Sequence, residues 1–551
     1  MFNLAKLTPD EMPDTLTVNL QHASPRRNPP MNTAPTHFHL RRRVLLGLPV
    51  LLVALGVAIP THAADQPNKT EAREARPNFV LCIADDVSVD DFGCYGHPTI
   101  QTPNIDRLAA DGLRFENAYL TISSCSPTRT SIITGRYPHN TGAPELHMKR
   151  SPHLGQLPQF PHELRKAGYY TTHVGKWHYN GDVTKSFDSR TNSYPSGGEK
   201  LVPALQQRPK DKPFFLWFGS HDAHRGWDMP LKQGPHDADD VQVPPYHVDG
   251  EKTRVDLAQY YNEVHRFDAN IGRVVDELKR QGVYENTVVM VIADNGRPFP
   301  RDKTWLYDSG IRTPLVIHWP AGIAKPAVVK SLASVLDLGP TILQAADVDR
   351  PASLQGVSLL PLIEDPSAKV RDFVFAERNW HTQRHHERLV RHGDYIYIRN
   401  NLPELVGLNI AHYAKDRKGK YGGKPRAYSE LIDHWRAGKA NKAQEDVVRQ
   451  PRPKEMLFDV TDDPHQLENL ADDPRYAEKL HLLRAALDQW AEQTGDTIPC
   501  FEDMTPDRPS REDWEARIGS GRPGGGEIPG ETTEAWTINH PGPVHTKDVA
   551  Q

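Results

Sequence analysis

The sequence has few cysteines, no dominant charge of one sign and a single long apolar segment. Its 551 residues include 4 cysteines, too few for a fold built on a disulfide scaffold. The 66 basic and 71 acidic side chains give a net charge of -5, so no general electrostatic attraction to nucleic acid is expected. Hydrophobic residues make up 37% of the chain, which excludes a wholly disordered or collagen-like protein.

The apolar segment from Val44 to Ile59 follows three arginines at 41–43 and precedes small residues ending at Ala64. This three-part layout is typical of a signal peptide, and a segment containing Pro49 is short for a membrane span. We therefore expect residues 1–64 to be presequence and signal peptide, and the protein to be periplasmic or extracellular without stable membrane insertion. The adjacent arginines resemble a twin-arginine signal. An uncleaved anchor is the alternative, and Met31 is the expected true start.

After residue 75 the pattern predicts an α/β fold. Three apolar runs indicate buried strands: Phe79 to Ala84, Phe214 to Phe218, and Thr287 to Ala293. Between the last two, apolar residues recur at three- and four-residue steps from Val255 to Leu278, which indicates a long amphipathic helix. We expect residues 75–366 to form a catalytic domain with a large, mostly parallel sheet flanked by helices.

The remaining chain predicts a smaller unit and a tail. Residues 367–501 are more charged and include a strand around Met456 and a helix carrying Tyr476, Leu480 and Trp490, which predicts a C-terminal α+β domain. Residues 502–551 are rich in proline and glycine, and we expect this tail to wrap around the surface or to be mobile.

Two of the predicted strands end in polar pairs, Asp85-Asp86 and Asp294-Asn295. The carboxyl ends of strands in an open α/β sheet are where sites are built, because rigid strands there meet variable loops. An Asp-Asp pair elsewhere is commonly a solvated turn. These two pairs, by contrast, directly follow apolar strands. Their position favours a functional site at this edge of the sheet.

The segment from Ser124 to Arg136 reads SCSPTRTSIITGR. The cysteine, the proline two residues on, the arginine four residues on and the later Thr-Gly resemble the signature of the formylglycine-dependent sulfatase family. The resemblance implies an alkaline-phosphatase-like fold and oxidation of Cys125 to formylglycine, an aldehyde whose hydrate supplies the attacking oxygen. A sulfate ester is a poor, anionic electrophile, so its nucleophile must be activated and its charge neutralised. Taken alone, the motif favours a buried free cysteine beside a turn, and the other blocks of the sequence shift the interpretation to the sulfatase site.

The resemblance extends to a metal site. It implies that one divalent cation per chain is held by Asp85, Asp86, Asp294, Asn295 and the modified Cys125. All-oxygen ligands suit a hard cation such as Ca²⁺, with Mg²⁺ or Mn²⁺ as alternatives, and disfavour zinc or copper.

The resemblance also assigns catalytic roles, with Arg129 holding the aldehyde hydrate. Lys176 and Lys303 would bind sulfate oxygens, His178 would contact the hydrate, and His224 would protonate the leaving group. Alternation along one strand would place Lys176 and His178 on the same face. Without the other blocks, a Lys-x-His is a charged strand end. His139 belongs either to the site or to the structure around it.

Within the family the closest resemblance is to the sulfamidase, or heparan N-sulfatase, group, on two blocks that follow strands: His221 to Arg225 and Asp294 to Pro300. This implies hydrolysis of sulfate from N-sulfoglucosamine by an exported enzyme, with a formylglycine-generating enzyme as maturation partner. Lys303 departs from the arginine of that group, which leaves open an O-sulfate ester sulfatase. Phosphonate monoester or phosphodiester hydrolysis on the same fold is another alternative, and a sugar-binding pseudo-sulfatase with unmodified Cys125 is the non-enzyme alternative.

A mixed aromatic and charged segment follows in the C-terminal region. Carboxylate, guanidinium and imidazole groups beside Trp380 are typical of a sugar-binding subsite, with the candidates Glu377, Arg378, His381 and His386. A surface loop without a binding role is the alternative.

Overall fold

The computed structural model describes residues 76–146, 153–229, 231–381, 385–417, 426–496 and 535–550. The expected presequence and signal peptide, Cys500 and residues 502–534 lie outside the described residues. Within the described ranges, no helix combines the length and the apolar character that crossing a membrane requires.

The large sheet contains eight strands in the order β5-β4-β6-β1-β7-β8-β2-β9. The bounds of its strands are β1 Asn78–Ala84, β2 Leu113–Phe115, β4 Tyr170–Gly175, β5 Ser189–Thr191, β6 Phe214–Gly219, β7 Thr287–Ala293, β8 Leu315–His318 and β9 Ala327–Val329. Five of the neighbouring pairs are parallel, and β8 is antiparallel to both β7 and β2. The expected large, mostly parallel sheet is confirmed. A separate two-stranded pair joins β3, Ala118–Tyr119, to β10, Ala333–Ser334.

The three apolar runs of the sequence form the centre of this sheet. Strand β1 lies between β6 and β7, and all residues of the three strands are buried. A central parallel strand is covered by helices on both faces, so a continuous apolar run fits it better than an alternating one.

Helices cover the sheet: α1 Pro103–Ala110, α2 Cys125–Thr134, α3 Phe160–Lys166, α4 Leu201–Gln207, α5 Glu251–Arg280, α6 Asp308–Ile311, α7 Leu338–Ala345 and α8 Leu360–Glu364. Helix α5 is the predicted long helix, with 30 residues and buried Leu257, Val264 and Ile271 along one face. It ends at Arg280 with Gln281 as its C-terminal cap, and Gly282 adopts a left-handed φ of 69°, a conformation that glycine takes without steric cost.

The C-terminal region forms a second, antiparallel sheet, β11 Phe373–Arg378, β12 Glu387–His392, β13 Tyr395–Asn400 and β14 Glu455–Asp459, with helices α9 Ile410–Arg417, α10 Ala427–Arg436, α11 Lys442–Asp446 and α12 Ala477–Thr494. The predicted pairing of strands with one long helix is confirmed, because Leu483, Leu487 and Trp490 of α12 are buried in a core with Phe375 of β11. The rings of Phe375 and Trp490 stack with centroids 5.3 Å apart.

Residues 535–550, here called the C-terminal strap, lie against the rest of the protein. The Arg136 guanidinium is buried and donates to the carbonyls of Trp536 at 2.9 Å and Ile538 at 2.6 Å. The Thr546 amide donates to Asp372 at 2.9 Å. This part of the predicted tail therefore wraps around the surface.

Candidate functional site

Two polar pairs meet where the central strands end. Asp85-Asp86 follows β1 and Asp294-Asn295 follows β7. The two strands are parallel neighbours, with Ala84 opposite Ala293, so the residues that follow them are adjacent at one edge. The Asp86 amide donates to Asp294 Oδ1 at 3.2 Å. The structure thus brings together the four side chains that the sequence placed at this edge.

Cys125 is the first residue of α2, and its side chain points at this edge. Its Sγ lies 3.7 Å from Oδ1 of Asp85 and 3.7 Å from Oδ1 of Asp86. Burial raises the pKa of the Cys125 thiol to about 12, although the charges of Lys176 and Lys303 oppose the rise. A thiol with so high a pKa is protonated at neutral pH and is a poor nucleophile.

Two lysines bond to the two carboxylates that follow β1. Lys303 Nζ lies 2.5 Å from Asp86 Oδ1 and 3.1 Å from Cys125 Sγ, and Lys176 Nζ donates to Asp85 Oδ2. Burial alone would lower the pKa of Lys303, but the negative charge of Asp86 outweighs it and the pKa lies well above its usual value. Both ammonium groups therefore stay charged beside the cysteine.

Arg129 is fully buried one turn along α2 from Cys125. Its Nε donates to Asp294 Oδ2 at 2.8 Å, and its Nη1 lies 3.5 Å from the carbonyl oxygen of Lys176. The guanidinium thus ties the cysteine-bearing helix to the ends of β7 and β4, which fixes the cysteine relative to the carboxylates.

The donor set fits a hard divalent cation. Ligand atoms of Asp85, Asp86, Cys125 and Asp294 all lie within 4.8 Å of one another. Within the described residues, the buried atoms Asp86 Oδ2 and Asn295 Oδ1 have no hydrogen-bond partner. Buried oxygens without partners are costly unless something else binds them, and carboxylate and amide oxygens are the ligands that Ca²⁺ and Mg²⁺ prefer.

The charges of the site balance before any ion is counted. The carboxylates of Asp85, Asp86 and Asp294 face three cations, those of Arg129, Lys176 and Lys303. A divalent cation would leave a net positive charge in a buried pocket. Such a pocket attracts an anion.

The two predicted catalytic histidines lie in loops beyond this edge. His224 follows β6, is exposed, and its backbone amide donates to the His221 carbonyl at 2.9 Å. Crowding by the surrounding protein lowers the pKa of His224, and the carboxylates of Asp86 and Asp85 oppose this while Lys303 and Lys176 add to it. His224 thus lies within electrostatic range of the pocket.

The strand argument for His178 is wrong. Strand β4 ends at Gly175, so Lys176 and His178 lie in the loop that follows it, and strand alternation does not relate them. Gly175 has a φ of 88° and His178 a φ of 20°, so the backbone turns away from extended geometry at this point.

The predicted sugar-binding residues separate into two groups. The carboxylate of Glu377 bonds to the His139 amide at 2.9 Å and to its Nδ1 at 3.0 Å. Arg378 donates to Glu387 at 2.7 Å, and His386 Nδ1 lies 2.8 Å from Asn401 Nδ2. The side chains of Glu377, Arg378 and His386 thus form hydrogen bonds or ion pairs with other groups of the protein. His381, in contrast, lies close to Cys125 in the fold, because its Nδ1 is 2.8 Å from Oγ of Ser124, the residue before Cys125.

His139, Glu377 and Asp496 also offer ligand atoms within 4.8 Å of one another. Arg388 Nη2 already donates to Asp496 at 2.9 Å and lies 4.0 Å from Glu377. The Arg388 guanidinium already supplies positive charge to these two carboxylates, which favours a structural ion-paired network around His139.

Sequence reasoning missed His412, on α9 of the C-terminal region. Burial lowers the pKa of His412 well below its usual value, and the positive charges of Lys303 and His224 contribute. Its ring centroid lies 6.5 Å from that of His381. His412 carries no motif, and only the tertiary packing of α9 against the pocket reveals it.

Cys82 and Cys94 do not belong to the group of ligand atoms around Cys125. Cys82 and Cys94 carry free thiols, so these two do not pair with each other. Cys82 is buried in the middle of β1 as a core residue.

Comparison with known families agrees with this geometry. The sulfatase family model matches residues 77–348, and a model described as the C-terminal part of N-sulphoglucosamine sulphohydrolase matches residues 299–400. The second match includes Lys303, β11 and β12, and so overlaps both the pocket and the antiparallel sheet.

Individual proteins similar to this chain are also named as sulfatases or bind a sulfated sugar as substrate. The chain is 31% identical to human N-sulphoglucosamine sulphohydrolase over 487 residues, covering 78% of this chain and 93% of the relative. It is 27% identical to an ulvan-active sulfatase of Formosa agariphila, with 76% of each chain covered. A protein solved with its substrate D-glucosamine-2-N,6-O-disulfate superimposes with a TM-score of 0.57 and 20% identity, covering 79% of this chain and all of the other.

Proposed function

This chain belongs to the sulfatase family, and we propose that it removes the sulfate from N-sulfoglucosamine units of a sulfated glycan, with Cys125 as the precursor of the nucleophile. Members of this family are hydrolases. One observation carries the proposal: the Cys125 side chain lies among three buried carboxylates and beside Lys303 Nζ, 3.1 Å away. A core cysteine has no need of such charged neighbours.

Cys125 is proposed to be converted to formylglycine by a formylglycine-generating enzyme. That group would supply an activated oxygen in place of a thiol that burial keeps protonated. A divalent cation, held by Asp85, Asp86, Asp294, Asn295 and residue 125, would supply positive charge at the sulfuryl group. Ca²⁺ is the proposed ion because all of these donors would be oxygens.

The protein's own side chains bind and orient the sulfuryl group. Lys176 and Lys303 point their ammonium groups into the pocket from the loops after β4 and β7. They donate hydrogen bonds to sulfuryl oxygens and neutralise the charge that grows there during displacement. Arg129, on helix α2, bonds to Asp294 and so fixes the helix relative to the end of β7. The proposed nucleophile at position 125 therefore stays aligned with the two lysines.

Proton transfer falls to the two loop histidines. His224 lies at the solvent-facing side of the pocket and is proposed to donate a proton to the departing amine or alcohol. Its environment lowers the pKa of His224, so the protonated form that can donate is the minor form at neutral pH, and it grows as pH falls. His178 is proposed to act as the base that accepts a proton when sulfate is released.

The substrate assignment rests on relatedness together with the pocket. The human relative is named an N-sulphoglucosamine sulphohydrolase, and the C-terminal match has the same description. Sulfate esters of other glycans are the second candidate, favoured by Lys303 and by the ulvan-active relative. Of the four predicted sugar-binding residues, His381 is proposed to contact substrate, because it alone bonds beside the nucleophile.

We further propose that residues 75–366 form the catalytic domain and that residues 367–501 cover the pocket with His381 and His412. The protein is proposed to be exported to the periplasm or beyond, where sulfated glycans are met.

The proposal is tested with protein produced together with a formylglycine-generating enzyme. Sulfate release is measured from N-sulfoglucosamine, an O-sulfated sugar and an aryl sulfate, and release of the phenol is measured from an aryl phosphonate ester. We expect the first substrate to be hydrolysed with the highest kcat/KM. Preference for the O-sulfated sugar would identify an ester sulfatase, and preference for the phosphonate would contradict the sulfatase assignment.

Two cysteine variants serve as a matched pair. Cys125→Ala should abolish turnover while leaving substrate binding measurable by calorimetry, because both lysines and the carboxylates remain. Cys94→Ala removes a free thiol of the same kind that lies away from the pocket, and it should keep full activity. Near-normal turnover by Cys125→Ala would refute the mechanism.

A further inference from the structure

An exposed aromatic ring lies near the rim of the pocket. Among the described residues, the large hydrophobic side chains left exposed are Tyr194, at 70%, and Val328, at 43%. Val328 is on the edge strand β9, where partial exposure is ordinary. Tyr194 lies in the loop between β5 and α4, and its exposure has no such explanation.

The Tyr194 ring is held in a fixed orientation. It stacks on the His221 ring with centroids 4.7 Å apart and planes 24° from parallel. Asn192 connects the two rings, because its Oδ1 lies 3.3 Å from His221 Nε2 and its Nδ2 lies 3.4 Å from the Tyr194 hydroxyl. The His221 amide donates to the Ser196 carbonyl at 2.8 Å. One face of the tyrosine is thus covered and the other is presented to solvent.

The stacked Tyr194 and His221 rings are connected to the charged pocket through the chain that follows β6. Gly219 ends β6, and its carbonyl accepts from the Lys176 amide at 2.6 Å. A Cβ at Gly219 would meet Arg129 Nη1 at 2.7 Å. His221 comes two residues later and accepts at its carbonyl from the amide of His224. The stacked rings are therefore next to the histidine proposed to protonate the leaving group.

We propose that the Tyr194–His221 pair is a carbohydrate-stacking subsite for the glycan ring next to the ring that carries the scissile sulfate. The inference rests on the proposed function and extends it to an oligosaccharide substrate. The apolar face of a pyranose packs on an aromatic ring, while polar groups at its edge bind hydroxyls. Here the free face belongs to Tyr194, and its hydroxyl and the Asn192 amide supply the polar edge.

Kinetics with two substrate lengths test the subsite. Tyr194→Ala should raise KM about tenfold for an oligosaccharide ending in N-sulfoglucosamine, the equivalent of about 1.4 kcal/mol. Its kcat should change less than about twofold, and KM for the N-sulfoglucosamine monosaccharide should be unaltered, because only the oligosaccharide has a second ring. Tyr194→Phe keeps the ring and should retain most of the affinity. Val328→Ala controls for loss of an exposed apolar side chain, and it should leave KM and kcat unchanged for both substrates.

A binding measurement separates failure of the subsite from failure of the proposed function. The desulfated oligosaccharide is titrated by calorimetry into the unaltered protein and into Tyr194→Ala, and binding about tenfold weaker in the variant is expected. Equal binding, or equal loss on both substrate lengths, would overturn the subsite even if the unaltered protein releases sulfate. If the unaltered protein hydrolyses no sulfated sugar but the variant still binds the oligosaccharide more weakly, the proposed reaction fails and the subsite stands.

Discussion

The buried carboxylate of Glu387 allows a quantitative prediction about how the C-terminal sheet supports the pocket. Glu387 begins β12 and accepts from Arg378 Nη1 at 2.7 Å and from Arg452 Nη1. Both guanidinium groups also lie against the Trp305 ring, 4.9 and 4.6 Å from its centroid. Trp305 is two residues beyond Lys303. The ion pairs therefore connect the second sheet to the loop that carries a lysine of the pocket.

The size of the expected loss of stability follows from the pKa of Glu387. Burial alone would raise this pKa, but the charges of Arg378 and Arg452 outweigh it and lower the value from 4.5 to about 2. That difference corresponds to about 3 kcal/mol. Removing one partner of a buried pair costs about 3–5 kcal/mol, because the other charge is left buried without compensation. Glu387→Gln should therefore lower the free energy of unfolding by about 3 kcal/mol at neutral pH.

The pH dependence has a definite sign. A carboxyl whose pKa is lower in the folded protein contributes stability above its unfolded pKa and loses it as pH falls through the folded value. The difference between the unaltered protein and Glu387→Gln should stay constant above pH 4.5 and shrink between 4.5 and about 2.

Urea unfolding followed by tryptophan fluorescence, with reversibility checked by dilution, measures this difference. Glu468→Gln is the matched control, because Glu468 pairs with Lys442 at 2.8 Å on the surface, where the two side chains are 69% and 75% exposed. An exposed pair contributes less than about 1 kcal/mol. If Glu387→Gln is as stable as Glu468→Gln, the reasoning about the buried pairs is refuted.

Three further predictions concern the pocket and the strap. Prolonged chelation should abolish sulfate release and lower Tm, and added Ca²⁺ should restore both, because Asp86 Oδ2 and Asn295 Oδ1 have no other partner among the described residues; unchanged Tm and activity would contradict the metal site. Lys176→Met and Lys303→Met should each lower kcat/KM about 10²-fold or more, and a loss under tenfold would exclude direct contact with the sulfuryl group. Arg136→Gln should lower the free energy of unfolding by about 3 kcal/mol, because the buried guanidinium binds the strap carbonyls; stability equal to the unaltered protein would show that the strap is not anchored there.

The sequence predicted the parts of the fold that depend on local pattern. The apolar runs at Phe79 and Thr287 became neighbouring strands, because a fully buried parallel strand needs a continuous apolar sequence. Helix α5 followed from its periodic apolar face, which extends from Val255 to Leu278 within the observed helix. The carboxylates after the strands converge for the same reason, since the strands that carry them are parallel neighbours.

Other parts depend on contacts between distant residues. His381 and Ser124 are 257 residues apart in the chain, and no local pattern joins them. Glu377 lies in a segment whose residue types are typical of a sugar-binding subsite. In the fold, however, its carboxylate bonds to His139 instead of facing a ligand site. Lys176 and His178 were expected on one strand, but β4 ends at Gly175, before either residue. Tyr194 has an ordinary loop sequence, and only its exposure and its stacking on His221 distinguish it.

Mass spectrometry of the peptide that contains Cys125 tests the central claim most directly. The protein is isolated after production with a formylglycine-generating enzyme, and the peptide with Cys94 serves as the internal reference for an unmodified thiol. The account predicts the mass of formylglycine at position 125, and cysteine at position 94. An unmodified cysteine at position 125 in protein that releases sulfate would contradict the account, because catalysis would then use another nucleophile.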